Sequence, residues 1–105
     1  MKNLLPLVPK QIIKEIEYQS DSIISKVLLQ SEKLNLTLFA MAAGQEFSPH
    51  TTTREVIVHI LEGKGDFMLG DVWHKFGPGD YFYMPEKLLH AIKAKSNFKF
   101  LLYLY

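Results

Sequence analysis

Apolar and polar residues alternate with a period of two along most of this chain, the pattern of β-strands with two different faces. The segment LNLTLFA (34–40) places its leucines on one face and Asn35, Thr37 and Phe39 on the other. Similar short apolar segments occupy 22–29, 55–61, 64–70, 71–76, 81–84, 90–94 and 98–105. The pattern therefore predicts an all-β protein.

Turn residues separate these segments at short, regular intervals. Gly70-Asp71 is a hairpin-type dipeptide, and GPGD (77–80) is a second turn. Such spacing is typical of a β-sandwich or a β-barrel. The one segment that resists assignment is 9–18, within an N-terminal arm of about 20 residues. Its isoleucines suit one helix face, but it is short, and both helix and strand remain open.

The last strand, 98–105, is apolar on both faces. Phenylalanines and leucines occupy the even positions, while Tyr103 and Tyr105 lie on the opposite face. Both faces must therefore be covered, and a second copy of the chain is the simplest cover. We expect a homodimer formed by sheet packing.

Composition narrows the function classes. The 105 residues suit one domain, 1–105, with 48% hydrophobic residues and a net charge of +1. The absence of cysteine excludes disulfides, thiolate metal sites and a cysteine nucleophile. There is no basic run to bind nucleic acid and no apolar segment long enough to span a membrane. Pro6 and Pro9 interrupt the apolar N-terminus, which therefore does not resemble a signal peptide, and we expect a cytoplasmic protein.

Candidate chemistry lies with the histidines. Residues two apart in a strand share a face, so the partner of His50 on that face is Thr52, a poor ligand for the metals that imidazole suits. Strand parity and hairpin position place His59 and His74 on an outer surface. Parity also turns Glu55 away from the core, unless a β-bulge reverses it.

Two spaced motifs resemble those of the cupin family, which are small jelly-roll β-barrels. The first family motif runs Gly, five residues, His-x-His, three or four residues, Glu, six residues, Gly. The second runs Gly, five residues, Pro-x-Gly, two residues, His, three residues, Asn. The matching residues of this chain are Gly44, His50, Gly63, Gly79, Pro85 and His90. The resemblance covers 44–94 and implies a single-domain cupin double-stranded β-helix.

The chain departs from these motifs at several positions. Thr52 replaces the second ligand histidine, and Val56 stands where the glutamate is expected, one residue after Glu55. Lys87 replaces the glycine of the second motif, and Ala94 replaces its terminal asparagine. Of the four metal ligands that the resemblance implies, only His50 and His90 remain, and stable sites usually supply three or four.

We therefore expect a barrel that binds a small molecule without a tightly held metal. The expected pocket is lined by His50, Thr52, Val56, Val58, Tyr83 and His90. A competing interpretation is a metal-dependent enzyme, dioxygenase-like or isomerase-like. It would hold iron, zinc, manganese or nickel on His50 and His90, with Thr52, Glu55 or water completing the site. A third interpretation is a structural or interaction module without a ligand.

Overall fold

The computed structural model describes residues 1–105 as ten β-strands and one 3-10 turn, which confirms the all-β prediction. The strands are β1 Lys2–Asn3, β2 Ile23–Gln30, β3 Asn35–Met41, β4 Glu46–His50, β5 Val56–Glu62, β6 Gly65–Leu69, β7 Val72–Phe76, β8 Tyr81–Met84, β9 His90–Ala94 and β10 Phe98–Leu104. The 3-10 turn spans Ile12–Lys14. No helix is of the length and apolarity needed to cross a membrane.

The strands form two antiparallel sheets that pack face to face. The larger sheet has the order β1-β2-β3-β10-β5-β8, and the smaller has the order β4-β9-β6-β7. The last strand of the chain, β10, thus lies in the middle of the larger sheet, between β3 and β5. This double-sheet arrangement is a jelly-roll barrel.

The main core fills the space between the inner faces of the two sheets. Phe67, Phe98 and Phe100 are its largest fully buried side chains. Phe98 and Phe100 stack with ring centroids 5.1 Å apart, and the ring of Phe67 meets Phe100 edge-on. Aromatic packing of this kind contributes both burial and specific geometry, and it holds the two sheets at a fixed spacing.

A second, smaller core lies on the outer face of the larger sheet. Leu38, Ala40 and Leu101 are buried there under residues 12–18, here called the covering segment, in which Ile16 is itself buried. The segment left open in the sequence is thus a single 3-10 turn followed by irregular chain, neither a full helix nor a strand. The leucines of β3 face this outer core, while Phe39 and Met41 face the barrel interior. Part of the outer face of β10 is therefore covered by its own chain.

Lys99 fastens the covering segment to the sheet. Lys99 is only 8% exposed, and its ammonium group donates to the carbonyl oxygen of Ile13 at 2.5 Å. It also lies 3.6 Å from the Glu62 carboxylate and 4.8 Å from the ring centroid of Tyr18. The Tyr18 hydroxyl donates to Glu62 at 2.6 Å. Burial, this hydrogen bond and the carboxylate charge raise the pKa of Tyr18 above its ordinary value, so the hydroxyl stays a donor.

The glycine positions of the two motifs share a positive φ angle. Gly44, Gly63 and Gly79 all have φ between +86° and +90°, and Lys87, in the place of the missing glycine, has φ +68°. At Gly63 a Cβ atom would lie 2.2 Å from the Asn97 carbonyl oxygen, so only glycine fits. The turns that the motifs specify are thus retained even where Lys87 replaces glycine.

Candidate functional site

A cavity of about 210 Å³ lies between the sheets, at the end of the barrel formed by β4 and β9. His50 and His90 provide its polar atoms. The remainder of its wall is apolar and consists of Phe39, Phe47, Phe67, Met84, Ile92, Phe100 and Leu102. Four phenylalanines in so small a space make it mainly an aromatic pocket. Such apolar cavities with few polar groups are the usual form of small-molecule sites.

An irregularity in β4 brings His50 into this cavity. Phe47 pairs with Ile92 and His50 pairs with His90, so three steps on β4 match two on β9. In a regular strand, residues three apart face opposite ways, but the extra residue turns both Phe47 and His50 inward. Pro49 lies within this irregularity, where its lack of an N–H group is tolerated.

The two imidazole rings lie against each other, with centroids 4.1 Å apart. The Nδ1 atom of His50 is 2.8 Å from the Ser48 carbonyl oxygen, and that of His90 is 2.9 Å from the Leu88 carbonyl oxygen. A carbonyl oxygen only accepts, so each Nδ1 carries the hydrogen and donates it. In the neutral rings, both Nε2 atoms are therefore hydrogen-bond acceptors.

The Nε2 atom of His90 is open to the cavity. Although His90 is buried as a residue, no buried side-chain nitrogen or oxygen in the protein lacks a hydrogen-bond partner. Since its only hydrogen bond is made through Nδ1, the Nε2 atom must be accessible. His90 thus presents an acceptor to whatever enters the pocket, and the more exposed His50 lies beside it in the cavity wall.

The environment favours the neutral form of His90. Burial lowers its pKa from the ordinary value of 6.5; the Leu88 carbonyl oxygen opposes this shift, and the charge of a protonated His50 adds to it. The surrounding wall carries no carboxylate to stabilise an imidazolium ion. At neutral pH, His90 is accordingly an acceptor at Nε2 rather than a cation.

This geometry agrees with the comparisons to known proteins. The family model described as "Cupin domain" matches residues 37–104. The chain belongs to the cupin family. No curated protein sequence matches it.

Solved structures of cupin proteins align over nearly the whole chain. A cupin superfamily protein from Desulfitobacterium hafniense is 28% identical, with a TM-score of 0.90, over 98% of this chain and 94% of its own. A conserved protein of unknown function from Streptococcus pyogenes is 25% identical, with the same TM-score, over 98% and 90%. A salicylate 1,2-dioxygenase from Pseudoaminobacter salicylatoxidans shares the fold alone, at 16% identity and TM-score 0.74, over 78% and 26%.

The residues of this cupin do not fit the metal that the family motifs imply. No group of three or more His, Asp or Glu side chains is placed to hold an ion. His50 and His90 have only apolar neighbours in the cavity wall, and neither Thr52 nor Glu55 is among them. Two imidazoles fall short of the three or four protein ligands of a stable site for a divalent ion.

Thr52 lies in the loop between β4 and β5 and shapes that loop. Its hydroxyl donates to the Arg54 carbonyl oxygen and accepts from the Arg54 N–H, at 2.8 and 2.9 Å. Its own carbonyl oxygen accepts from the N–H of Lys87 at 2.7 Å. The hydroxyl expected in the pocket is therefore occupied by local turn bonds, which short polar side chains readily make.

Three further expected pocket residues lie outside the cavity wall. Val56 and Val58 face inward from β5, as strand parity predicts, but they are buried within the main core. Tyr83 is 47% exposed on the outer face of the larger sheet and donates to the Glu55 carboxylate. This bond, burial and nearby charges raise the pKa of Tyr83 to about 12. Glu55 also lies outward, opposite Tyr105, because β5 begins without a bulge.

The other two histidines lie on different sides of the sheets. His59 pairs with Tyr81 and Leu101 on the outer face, as parity predicts. His74 is exposed, but it pairs with the core residue Phe67 and so stands on the inner face of β7. It lines a separate cavity of about 290 Å³ beside β8. The prediction from hairpin position that His74 lies on an outer surface was wrong about the face of the sheet. The strand register, which the Gly70-Asp71 turn fixes, determines which face a residue occupies.

The aromatic wall of the cavity was not found by sequence reasoning. Phe39 and Phe47 lie on strands whose inner faces depend on the covering segment and on the β4 bulge. The sequence contained one indication of this wall. Phe39 is a large apolar residue on the face of LNLTLFA that otherwise carries the polar residues. Phe39 stacks on Phe100 with ring centroids 5.0 Å apart.

Proposed function

We propose that this cupin binds a small, largely apolar organic molecule between His50 and His90, without a tightly held metal. The observation that supports this is the pair of imidazoles whose Nδ1 atoms are both engaged by the backbone. These two imidazoles are the polar side chains of an otherwise apolar cavity wall, and their Nε2 atoms make no hydrogen bond within the protein. Binding sites commonly combine apolar walls with a few fixed polar groups in this way.

The cavity favours a neutral ligand that donates a hydrogen bond. Its wall contains no Lys, Arg, Asp or Glu, so an ionised ligand would lose hydration without gaining a counter-charge. The acceptors at Nε2 select a hydroxyl or N–H donor, and the phenylalanines select a flat apolar body. At about 210 Å³ the cavity is smaller than the roughly 300–1,000 Å³ of drug-sized sites. A monocyclic phenol or enol meets these requirements.

Phenol and anisole are a matched pair of probes. Anisole carries a methyl group in place of the hydroxyl hydrogen and therefore cannot donate a hydrogen bond. Calorimetric or NMR titration is expected to show phenol binding more tightly than anisole, by about 3- to 10-fold, the range of one net hydrogen bond. His50→Phe and His90→Phe keep a planar ring without the nitrogens and should remove this preference. His59→Phe, on the outer face, is the control and should retain it. Equal binding of the two probes, or no binding at millimolar concentration, would contradict the proposal.

An enzyme that uses the same pair for proton transfer is the second candidate. A neutral Nε2 acceptor in a largely apolar pocket can take a proton from a bound donor and return it to another atom of the same ligand. Turnover of an enolisable ligand that is lost in both His→Phe variants would favour the enzyme. Elemental analysis of untagged protein tests the metal-dependent alternative. One equivalent of iron, zinc, manganese or nickel per chain, lost on His50→Ala or His90→Ala, would overturn metal-free binding.

A further inference from the structure

A second cavity adjoins the one that contains the two histidines. The first, here called the histidine cavity, measures about 210 Å³, and the second, here called the edge cavity, measures about 290 Å³. The edge cavity lies beside β7 and β8, which are edge strands of the two sheets. Phe67 is the one residue that lines both cavities. A single side chain therefore forms the partition between them.

The strand register places Phe67 where the two cavities meet. Ile92, Phe67 and His74 are cross-strand neighbours on β9, β6 and β7, so their side chains share the inner face of the smaller sheet. Ile92 lines the histidine cavity and His74 lines the edge cavity. On the larger sheet, Leu102 lines the first and Phe82 the second. Both sheets thus extend from one cavity to the other, with Phe67 between them.

The ring of Phe67 is held in place from both sides. It is 1% exposed and meets Phe76, Phe82 and Phe100 edge-on, with ring centroids 5.6, 4.6 and 6.2 Å away. Phe100 belongs to the wall of the histidine cavity, and the other two belong to the wall of the edge cavity. Edge-to-face contacts favour one relative orientation of aromatic rings. Because rotation of Phe67 would disrupt contacts in both directions, its ring is a fixed wall.

We propose that Phe67 determines the size of the ligand in this cupin, because it ends the binding site after a single ring. This inference rests on the proposed function of the histidine cavity. A monocyclic donor fills that cavity with its hydroxyl at the two histidines. A second ring would either clash with Phe67 or stay outside, beside the exposed His50, where it gains little burial. The site therefore selects monocyclic donors over bicyclic ones.

The edge cavity is suited to receive a second ring when the partition is removed. Its floor is aromatic, with Phe76 buried and Phe82 half-buried. Its rim carries the exposed polar side chains of His74, Lys75 and Asp80. Together the two cavities reach the range of about 300–1,000 Å³ that is typical of drug-sized sites. Loss of the Phe67 ring should thus convert a site for one ring into a site for two.

Phenol and 4-phenylphenol test the partition, because the second compound adds one ring opposite the hydroxyl. In Phe67→Ala, calorimetric or NMR titration should show 4-phenylphenol binding at least about tenfold more tightly than phenol, since the added ring is buried. In the wild type, the added ring should improve binding by less than about threefold. Phe98→Ala is the matched control, because Phe98 is equally buried but lines neither cavity. It should retain the wild-type ratio.

Phe67→Leu is a milder variant that keeps an aliphatic side chain in the core, and it should shift the ratio in the same direction by a smaller factor. Far-UV circular dichroism establishes that each variant is folded. If the wild type already prefers 4-phenylphenol tenfold, or if both Phe67 variants keep the wild-type ratio, Phe67 does not set ligand size, although the phenol site stands. A wild type that binds neither compound would instead contradict the proposed function, and this inference with it.

Discussion

Lys87 shows how a motif can persist in the backbone after its characteristic residue has changed. Its φ of +68° belongs to the left-handed region, which costs an L-residue about 1–2 kcal/mol. Its N–H is nonetheless held by Thr52, which ties the turn before β9 to the loop after β4. The glycine of the family motif is therefore a conformational requirement that Lys87 meets under strain.

Lys87→Gly should increase the free energy of unfolding by about 0.5–1 kcal/mol, because relief of the strain exceeds the added entropy of the unfolded chain. Lys87→Ala is the control, since it shortens the exposed side chain and keeps the unfavourable φ. It should give no gain. Denaturant unfolding of the three proteins measures the difference, and equal stabilities for the glycine and alanine variants would contradict the explanation.

His90 should make the stability of the protein depend on pH in one direction. Its folded-state pKa is lowered, so the unfolded chain binds the proton first as the pH falls. The free energy of unfolding contributed by this group is complete above about pH 6.5–7 and declines below that, through the lowered folded pKa. The one titratable group facing His90 is His50, and its protonation increases the penalty.

The measurement is urea unfolding of the wild type and His90→Asn between pH 7.5 and 5.5. An asparagine amide can replace the hydrogen bond to the Leu88 carbonyl oxygen, but it does not titrate. The variant is therefore expected to lose less stability than the wild type across this interval. Parallel profiles for the two proteins would show that His90 is not responsible.

At the scale of elements, the covering segment explains the main difference between expectation and structure. The alternation in 34–40 was read correctly as a strand, but both of its faces are buried, one in each core. The apolar second face of β10 was explained by a partner, whereas Ile16 and its neighbours cover part of it. Periodicity identifies a strand and its faces, but it does not tell which other segment will pack on each face.

The site was also predictable only in part: its two histidines followed from the sequence, but most of its wall did not. The motif resemblance placed His50 and His90 in one expected pocket, and they pair directly on the adjacent strands β4 and β9. Phe47 was missed because the irregularity between Phe47 and His50 changes the facing of β4. Thr52 and Tyr83 were placed in the pocket by motif position and by residue type. Neither indicates that one lies in a loop and the other on the outer face.

Lys99→Met should loosen the covering segment. It removes the charged donor to the Ile13 carbonyl oxygen and leaves Glu62 without its cation, at a cost of about 2 kcal/mol in unfolding free energy. Lys26→Met is the matched control. Lys26 also contacts this segment, at Glu15, but its side chain is 40% exposed, so its loss should cost at most about 0.5 kcal/mol.

Denaturant unfolding gives the two stabilities. Limited proteolysis within 10–20 reports whether the covering segment is released before the barrel unfolds. The anchoring role of Lys99 requires that its variant is cleaved faster than the Lys26 variant. Similar stability and similar cleavage in both would show that the burial of Ile16, rather than the ion pair, holds the segment.

At the scale of the whole molecule, the larger sheet separates an inner cavity from an exposed aromatic outer surface. The inner cavity is small and aromatic, with polar acceptors at one end. The outer surface has a groove beside Tyr81 and Tyr103, and β10 contributes to both sides, with Phe100 and Leu102 facing the cavity and Tyr103 facing the groove. Substitutions of the outer tyrosines should therefore have little effect on ligand binding in the cavity.

The central position of β10 has a consequence for how the protein is made. The hairpins β2–β3 and β6–β7 join neighbours in the chain, but β3 and β5 meet only through β10. During synthesis, the larger sheet therefore remains in two separate pieces until residues 98–104 have left the ribosome. Until then the apolar inner faces of β3 and β5 lack their shared neighbour, and exposed apolar strands of this kind are prone to aggregation.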